Sequence, residues 1–285
     1  MSGQEQPEQP EGKESKILAV SIGDIFIRNK ASHDRLDSCD FLKRYSEGSL
    51  ILLDHLFHLI QLKEIYQAIE SQFDELFLKT PGSYFLAYFF DDWRRSLKIQ
   101  ADIEFLRFSL EGVSSEKIER AQVLLFSTKE LIRTIKIADE GQLVGHFLVR
   151  ILGDLFGGQV IKKQLQKLYQ SKSIEIAFGV VDSLEPSGLS FYGFSPELNT
   201  RSMGSKLREI QVSQSTKDKI LEATALSFAS HEKIFLEAEG HRVNYAGNLR
   251  KVLAPAAFST PWLLAFGSIS LGLGTAWSVY SASIY

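Results

Sequence analysis

Residues 143–169, LVGHFLVRILGDLFGGQVIKKQLQKLY, carry the most suggestive chemistry in the chain. Their flanks read as helix, yet Gly153, Gly157 and Gly158 fall within six positions. Each mid-helix glycine costs roughly 0.5–1 kcal/mol against alanine, so the three together cost about 2–3 kcal/mol. Helices keep such glycines where they bend or where another group must touch the backbone. Gly153 and Gly157 are four apart and share one face, which has no side chains. That face can lie flat against a planar ligand, or it can pack closely on another helix. Asp154 sits beside it, and Arg150 lies one turn earlier on the same stripe. A planar ligand needs a second group on its far side. His33, His55, His58, His146 and His231 are candidates, with His241 closer to the C-terminus. His55 and His58 are three apart and read either as a shared metal site or as a partly exposed helix face. His33 in NKASHDRL stands alone, as an axial imidazole or a structural histidine would.

The elements that must position these residues read as helices. Leu50–Phe73 is one long apolar-faced stretch without Pro or Gly. Tyr84–Leu106, Ser115–Lys136, Gly141–Tyr169 and Thr216–Glu239 have the same periodicity, and Ser213 or Thr216 suits the N-cap of the last. Strand signals are scarce, and Ile174–Phe194 reads as a turn-rich connection. The expected fold class is all-α: one multi-helix domain over residues 19–245, with a kinked Gly-rich helix.

Composition narrows the function further. The 285 residues carry 32 Lys plus Arg against 35 Asp plus Glu, a net charge of −3 that argues against a nucleic-acid partner held by bulk electrostatics. One cysteine, Cys39, excludes an internal disulfide framework, a CxxC redox pair and a cysteine-based zinc site. Residues 1–18 read as a disordered acidic tail, too polar to bury and without the apolar stretch of a secretory signal. At the other end Lys251 is the last charged residue. After a basic linker at 246–261, residues 262–282 are 21 uncharged positions with Trp262 and Trp277 near the ends. As a helix they extend about 31 Å, enough to cross the hydrocarbon core. Arg242, Arg250 and Lys251 place the preceding domain on the cytosolic side, so the segment reads as a C-terminal transmembrane anchor.

The segment LGDLFGGQVIKK, residues 152–163, resembles the signature of the heme oxygenase family, whose familiar form is LGDLSGGQVLKK. Other segments agree. The family's proximal histidine is followed eight residues later by Phe and a basic-aromatic turn ending in Gly. Here His33 is followed by Phe41-Leu-Lys-Arg-Tyr-Ser-Glu-Gly48. Tyr66 in EIYQAIE falls on the family's distal-pocket tyrosine. The run from Trp93 to Asp102, the connection Gly188–Phe194 and the helix Ile220–Phe235 also match, so the resemblance covers about residues 22–240.

The resemblance implies an enzyme that cleaves heme b to biliverdin, ferrous iron and carbon monoxide, using O2 and electrons from an NADPH-dependent flavoprotein reductase. Heme is both cofactor and substrate. His33 is implied as the iron ligand, supported by Asp37, with Lys30, Arg208 and Phe228 contacting the heme. Gly153 and Gly157 are implied to let the distal helix lie on the ring, while Asp154, Arg150 and Tyr66 hold the water that delivers protons. The family also implies an endoplasmic reticulum membrane anchor with the domain in the cytosol. Four positions depart from the pattern. Phe156 replaces a small serine, Leu148 replaces a tyrosine that reaches a propionate, Phe26 stands where one of two lysines is usual, and the propionate-binding cation of the later helix is either Arg208 or Lys206. They leave a second reading, a tail-anchored heme-binding protein of the same fold without efficient turnover. A cofactor-free relative of this fold acting on another small molecule would not need His33 together with the Gly-rich helix.

Overall fold

The computed structural model describes residues 17–80, 93–171, 188–196 and 198–246. Ten elements carry the core: α1 (Ile22–Asp37), α2 (Asp40–Glu47), α3 (Leu52–Lys79), α4 (Ser96–Ser109), α5 (Ser115–Ala121), α6 (Phe126–Lys136), α7 (Glu140–Ser171), a 3₁₀ turn (Ser190–Tyr192), α8 (Thr200–Glu209) and α9 (Gln214–Ala246). The all-α expectation holds with one addition. Strands β1 (Ile17–Ala19) and β2 (Gln211–Ser213) pair antiparallel, with Leu18 opposite Val212, and tie the start of the domain to the entrance of α9. The strand begins two residues inside the segment read as the acidic tail. Residues 1–16 lie outside the described residues, as do the proposed anchor at 262–282 and all but Ala246 of the linker.

The long helix α3 forms the centre of the core. Leu56, Phe57, Leu59, Ile65 and Tyr66 are fully buried, between α4 and α6 on one side and α7 on another. Helix α9 is the second organiser and packs against α1, α5, α6 and α7. Ser213 Oγ accepts from Thr216 N at 3.2 Å, so Ser213 caps α9 as its sequence suggests. The helix runs to Ala246, beyond the Glu239 limit its sequence suggests, because Tyr245 and Ala246 are buried against the core.

Two expected helices differ. The Ser115–Lys136 helix is broken into α5 and α6. The Gln61 amide on α3 donates to Val123 O at 2.9 Å and accepts from Leu125 N at 3.1 Å, while the Glu237 carboxylate on α9 accepts from Phe126 N and Ser127 N. Side chains from other helices thus satisfy the freed backbone groups and stabilise the break. Part of the Tyr84–Leu106 expectation falls at 84–92, outside the described residues, and α4 begins at Ser96. Helix α8 has no counterpart among the helices expected from the sequence. It starts at an Asn199 capping box, whose Oδ1 accepts from Ser202 N at 3.0 Å. Helix α7 continues without a break through all three of its expected kink glycines. Its segment Glu140–Gln170 is long and apolar enough to cross a membrane, but it is largely buried as a core helix of the domain.

Candidate functional site

Three helices meet at one crossing. Asn29 on α1 donates to Thr224 Oγ1 on α9 at 2.9 Å, and Gly145 on α7 lies against the same turn of α9. A Cβ at Gly145 would stand 2.5 Å from Ile220 O and 2.6 Å from Ala223 Cβ. This is the close helix contact that a glycine permits. It falls outside the glycine cluster singled out in the sequence.

The cluster itself faces open space. A Cβ at Gly157 would meet nothing within 4 Å, and one at Gly153 only Arg150 Nη2 at 3.7 Å. Among the described residues no helix packs on this face, and what they leave is a bare backbone surface that suits a planar ligand. Gly158 points the other way, onto Tyr192 Cδ1 at 3.2 Å. Phe156 borders the open face and is 45% exposed. Leu148 is fully buried and cannot reach a ligand edge.

Beside the open face, Asp154 is buried, with a side chain only 6% exposed. Arg150 Nη2 donates to Asp154 Oδ1 at 2.6 Å, and Tyr66 Oη donates to Oδ2. Burial pulls the Arg150 guanidinium down, but Asp154 and Tyr66 more than offset this and hold it above its ordinary value. Burial, together with the Asp154 charge, keeps the Tyr66 hydroxyl well above its usual range, so it remains protonated. The three residues read as a distal network are in direct contact. Phe191 packs edge-on to Tyr66 with ring centroids 5.9 Å apart. The turn carrying Phe191 and Tyr192 is held by Asp102, which accepts from Ser190 N and Phe191 N, both at 2.8 Å, and by Arg95, which donates to Gly193 O at 2.7 Å.

His33 lies on α1, one turn beyond the Asn29 crossing. Its Nδ1 is 3.2 Å from Asp37 Oδ2, and its ring meets Phe26 at 5.9 Å and Phe228 of α9 at 6.2 Å. The Asp37 hydrogen bond raises the His33 pKa against the opposing effect of burial. With Nδ1 tied to a carboxylate and a side chain 42% exposed, His33 has the form of a supported metal-ligating imidazole. Lys30 pairs with Asp34 at 2.9 Å. Arg208 is exposed near the end of α8, and Lys206 is half-buried.

The His55–His58 reading is corrected. Both rings are buried, so they form no exposed helix face, and the described residues contain no group of three metal-ligating side chains. Sequence reasoning also missed Gly145 and the Asp102 clamp, whose partners lie far away in the chain.

The fold is shared with known proteins. A family model described as heme oxygenase matches residues 27–237. A Gallus gallus protein named heme oxygenase 1 is 26% identical over 265 residues, covering 85% of this chain and 80% of its own. A heme oxygenase of Takifugu rubripes is 26% identical over 212 residues, covering 72% and 69%. Among solved structures, heme oxygenase-1 from Synechocystis sp. PCC6803 in complex with heme aligns with a TM-score of 0.60 at 20% identity, over 79% of this chain and 95% of the other. With the family model spanning well over half its length, the chain belongs to the heme oxygenase family.

Proposed function

We propose that this protein is a heme oxygenase that converts heme to biliverdin, ferrous iron and carbon monoxide. Dioxygen and electrons from an NADPH-dependent flavoprotein reductase complete the reaction. The observation that carries the reading is the buried Tyr66–Asp154–Arg150 contact beside the open Gly153–Gly157 face. The residues fit heme b: a supported imidazole on α1, a side-chain-free stretch on α7, and Phe228 of α9 against His33. His33 would hold the iron through Nε2, and Asp37 would fix its tautomer. Heme, when bound, supplies the redox chemistry and the ring that is cleaved.

The protein's own work is orientation and proton supply. Gly153 and Gly157 let the α7 backbone approach the ring. Asp154 holds water at the open face, and Arg150 holds the carboxylate in place. Tyr66 donates to Asp154 and orients it, and because its hydroxyl stays protonated it serves as a donor throughout the working pH range. Lys30 and either Arg208 or Lys206 would meet the propionates. The segment 262–282 would anchor the protein in the endoplasmic reticulum membrane, in the same plane as its reductase.

The exposed Phe156 ring at the edge of the glycine face favours a second reading, heme binding without efficient turnover. One experiment separates the two. The full chain in detergent is loaded with hemin, then given NADPH and a reductase with catalase present. Decay of the Soret band with appearance of biliverdin and carbon monoxide is expected. A stable Soret band without verdin supports the second reading, and no Soret band removes both.

A further inference from the structure

A second polar cluster, which the reaction as described does not use, is carried by α2, α3 and α9. Tyr45 on α2 has its hydroxyl 3.2 Å from His55 Nδ1 and 2.9 Å from His58 Nδ1, both on α3. His231 on α9 has Nδ1 2.8 Å from Ser227 O. The opposite nitrogens, Nε2 of His55, His58 and His231, are buried without a partner among the described residues, as are His146 Nδ1, Ser227 Oγ and the Tyr192 hydroxyl. A buried polar atom left unsatisfied destabilises the fold. Six in one core point to bridging water. Arg150 acts electrostatically on both His58 and His231, His55 acts on His58, and His146 acts on His231. Tyr45 in turn lies in the field of Asp54. Asp54 accepts from Arg242 and Tyr245, and Arg44 and Glu239 carry this group to the surface.

Hydrogen-bond polarity gives the cluster a direction. A carbonyl only accepts, so His231 must donate from Nδ1 and present a lone pair at Nε2. Tyr45 has a single O–H. It donates to one of His55 and His58 and accepts from the other, so one ring presents N–H at Nε2 and the other a lone pair. Reversing the hydroxyl exchanges the two. Burial holds His55 and His231 at about 3 and His146 at about 4, and pushes His58 well below its usual value. The rings are therefore neutral in neutral solution.

We propose that Tyr45, His55 and His58, bridged by ordered water that His231 Nε2 holds as an acceptor, form a neutral proton wire toward Arg150 that reloads the water held by Asp154. A proton leaves toward Arg150 from an Nε2–H. The same ring regains one at Nδ1 from Tyr45, Tyr45 regains one from the other ring, and water restores the last at that ring's Nε2. No group gains net charge, and Arg150 orients the final water without giving up a proton. His58 and His231 are positioning residues, and only the destination of the proton rests on the heme oxygenase reading.

The first test needs no heme. In the full chain labelled with ¹⁵N-histidine, Nε2 of His58 and His231 should carry hydrogen-bonded shifts at pH 7. Tyr45→Phe and His231→Leu should each move the His58 signals. Free Nε2 shifts, rings that titrate near 6.5, or a His58 signal indifferent to both substitutions overturn the wire. In the heme-loaded protein, His231→Leu and Tyr45→Phe should slow verdin formation about tenfold or more and enlarge its solvent isotope effect. Heme affinity should stay within about twofold, and His231→Gln should restore most of the rate. Unchanged rate and isotope effect overturn the proposal. An unsubstituted protein that makes no verdin counts against the proposed function, and the histidine spectra still decide whether the wire exists.

Discussion

Gly145 and Gly157 lie on the same helix but use the absence of a side chain for different purposes. A methyl group at Gly157 meets nothing within 4 Å. Gly157→Ala should therefore raise the melting temperature of the heme-free protein, with a gain of about 0.5–1 kcal/mol from helix propensity. The same methyl would stand on the face proposed for heme, so heme affinity and verdin yield should fall. A substitution that stabilises the fold and leaves heme binding unchanged would remove the site from this face. Asp154 behaves differently because it is buried under Arg150 and Tyr66. Asp154→Ala strands a guanidinium with only one-tenth of its side chain exposed, which should cost about 3 kcal/mol or more in urea unfolding. It should also abolish verdin formation, whereas Asp154→Asn keeps an acceptor for Tyr66 and should retain most of the stability. Equal stability of the two variants would contradict the carboxylate's structural role.

At the scale of elements, α9 sets the geometry. It takes α1 at Asn29–Thr224 and α7 at Gly145, so the His33 and Arg150 segments flank the same part of α9. Gly145→Ala would place a Cβ 2.5 Å from the Ile220 carbonyl, which cannot give way as a flexible side chain would. The expected loss is about 1–3 kcal/mol, measured by thermal unfolding, with heme affinity falling as the two helices separate. An unchanged melt would show that α7 and α9 are looser at this crossing than the structure has them. The break between α5 and α6 has a similar origin, since the groups that satisfy it, Gln61 and Glu237, belong to other helices.

For the molecule as a whole, the buried histidines predict a steep response to acid. His55, His146 and His231 have folded pKa values of about 3, 4 and 3, below the ordinary 6.5. A lowered folded value means the native state refuses protons that the unfolded chain accepts. Their contribution is complete above pH 6.5 and declines as pH falls below it. At pH 5 each should have lost about 2 kcal/mol, a large share of a typical domain's stability. His33 has the opposite sign. Its raised value adds a small stabilisation below pH 6.5 that is lost as pH rises through the folded value. Denaturant melts of the heme-free protein between pH 7.5 and 5 should show the fall, and His231→Leu should flatten it. A flat profile in the unsubstituted protein would mean that the imidazoles reach solvent.

Much of this was legible in the chain. The apolar periodicity gave the long helices, because it records which face of each must be buried. The spacing of Gly153, Gly157, Asp154 and Arg150 placed a bare face beside an acid–base pair, because one helix fixes their relative positions. His33 and Asp37 are likewise one turn apart. Spacing could not say which glycine touches another helix, where a helix breaks, or that four scattered histidines share one interior. These depend on partners far apart in sequence: Tyr66 and Asp154 are separated by 88 residues, Asn29 and Thr224 by 195. Local pattern reports the inward face of each helix. Only tertiary packing decides what that face meets, and with it whether a glycine is a contact or an opening and whether a histidine is a surface group or part of a buried network.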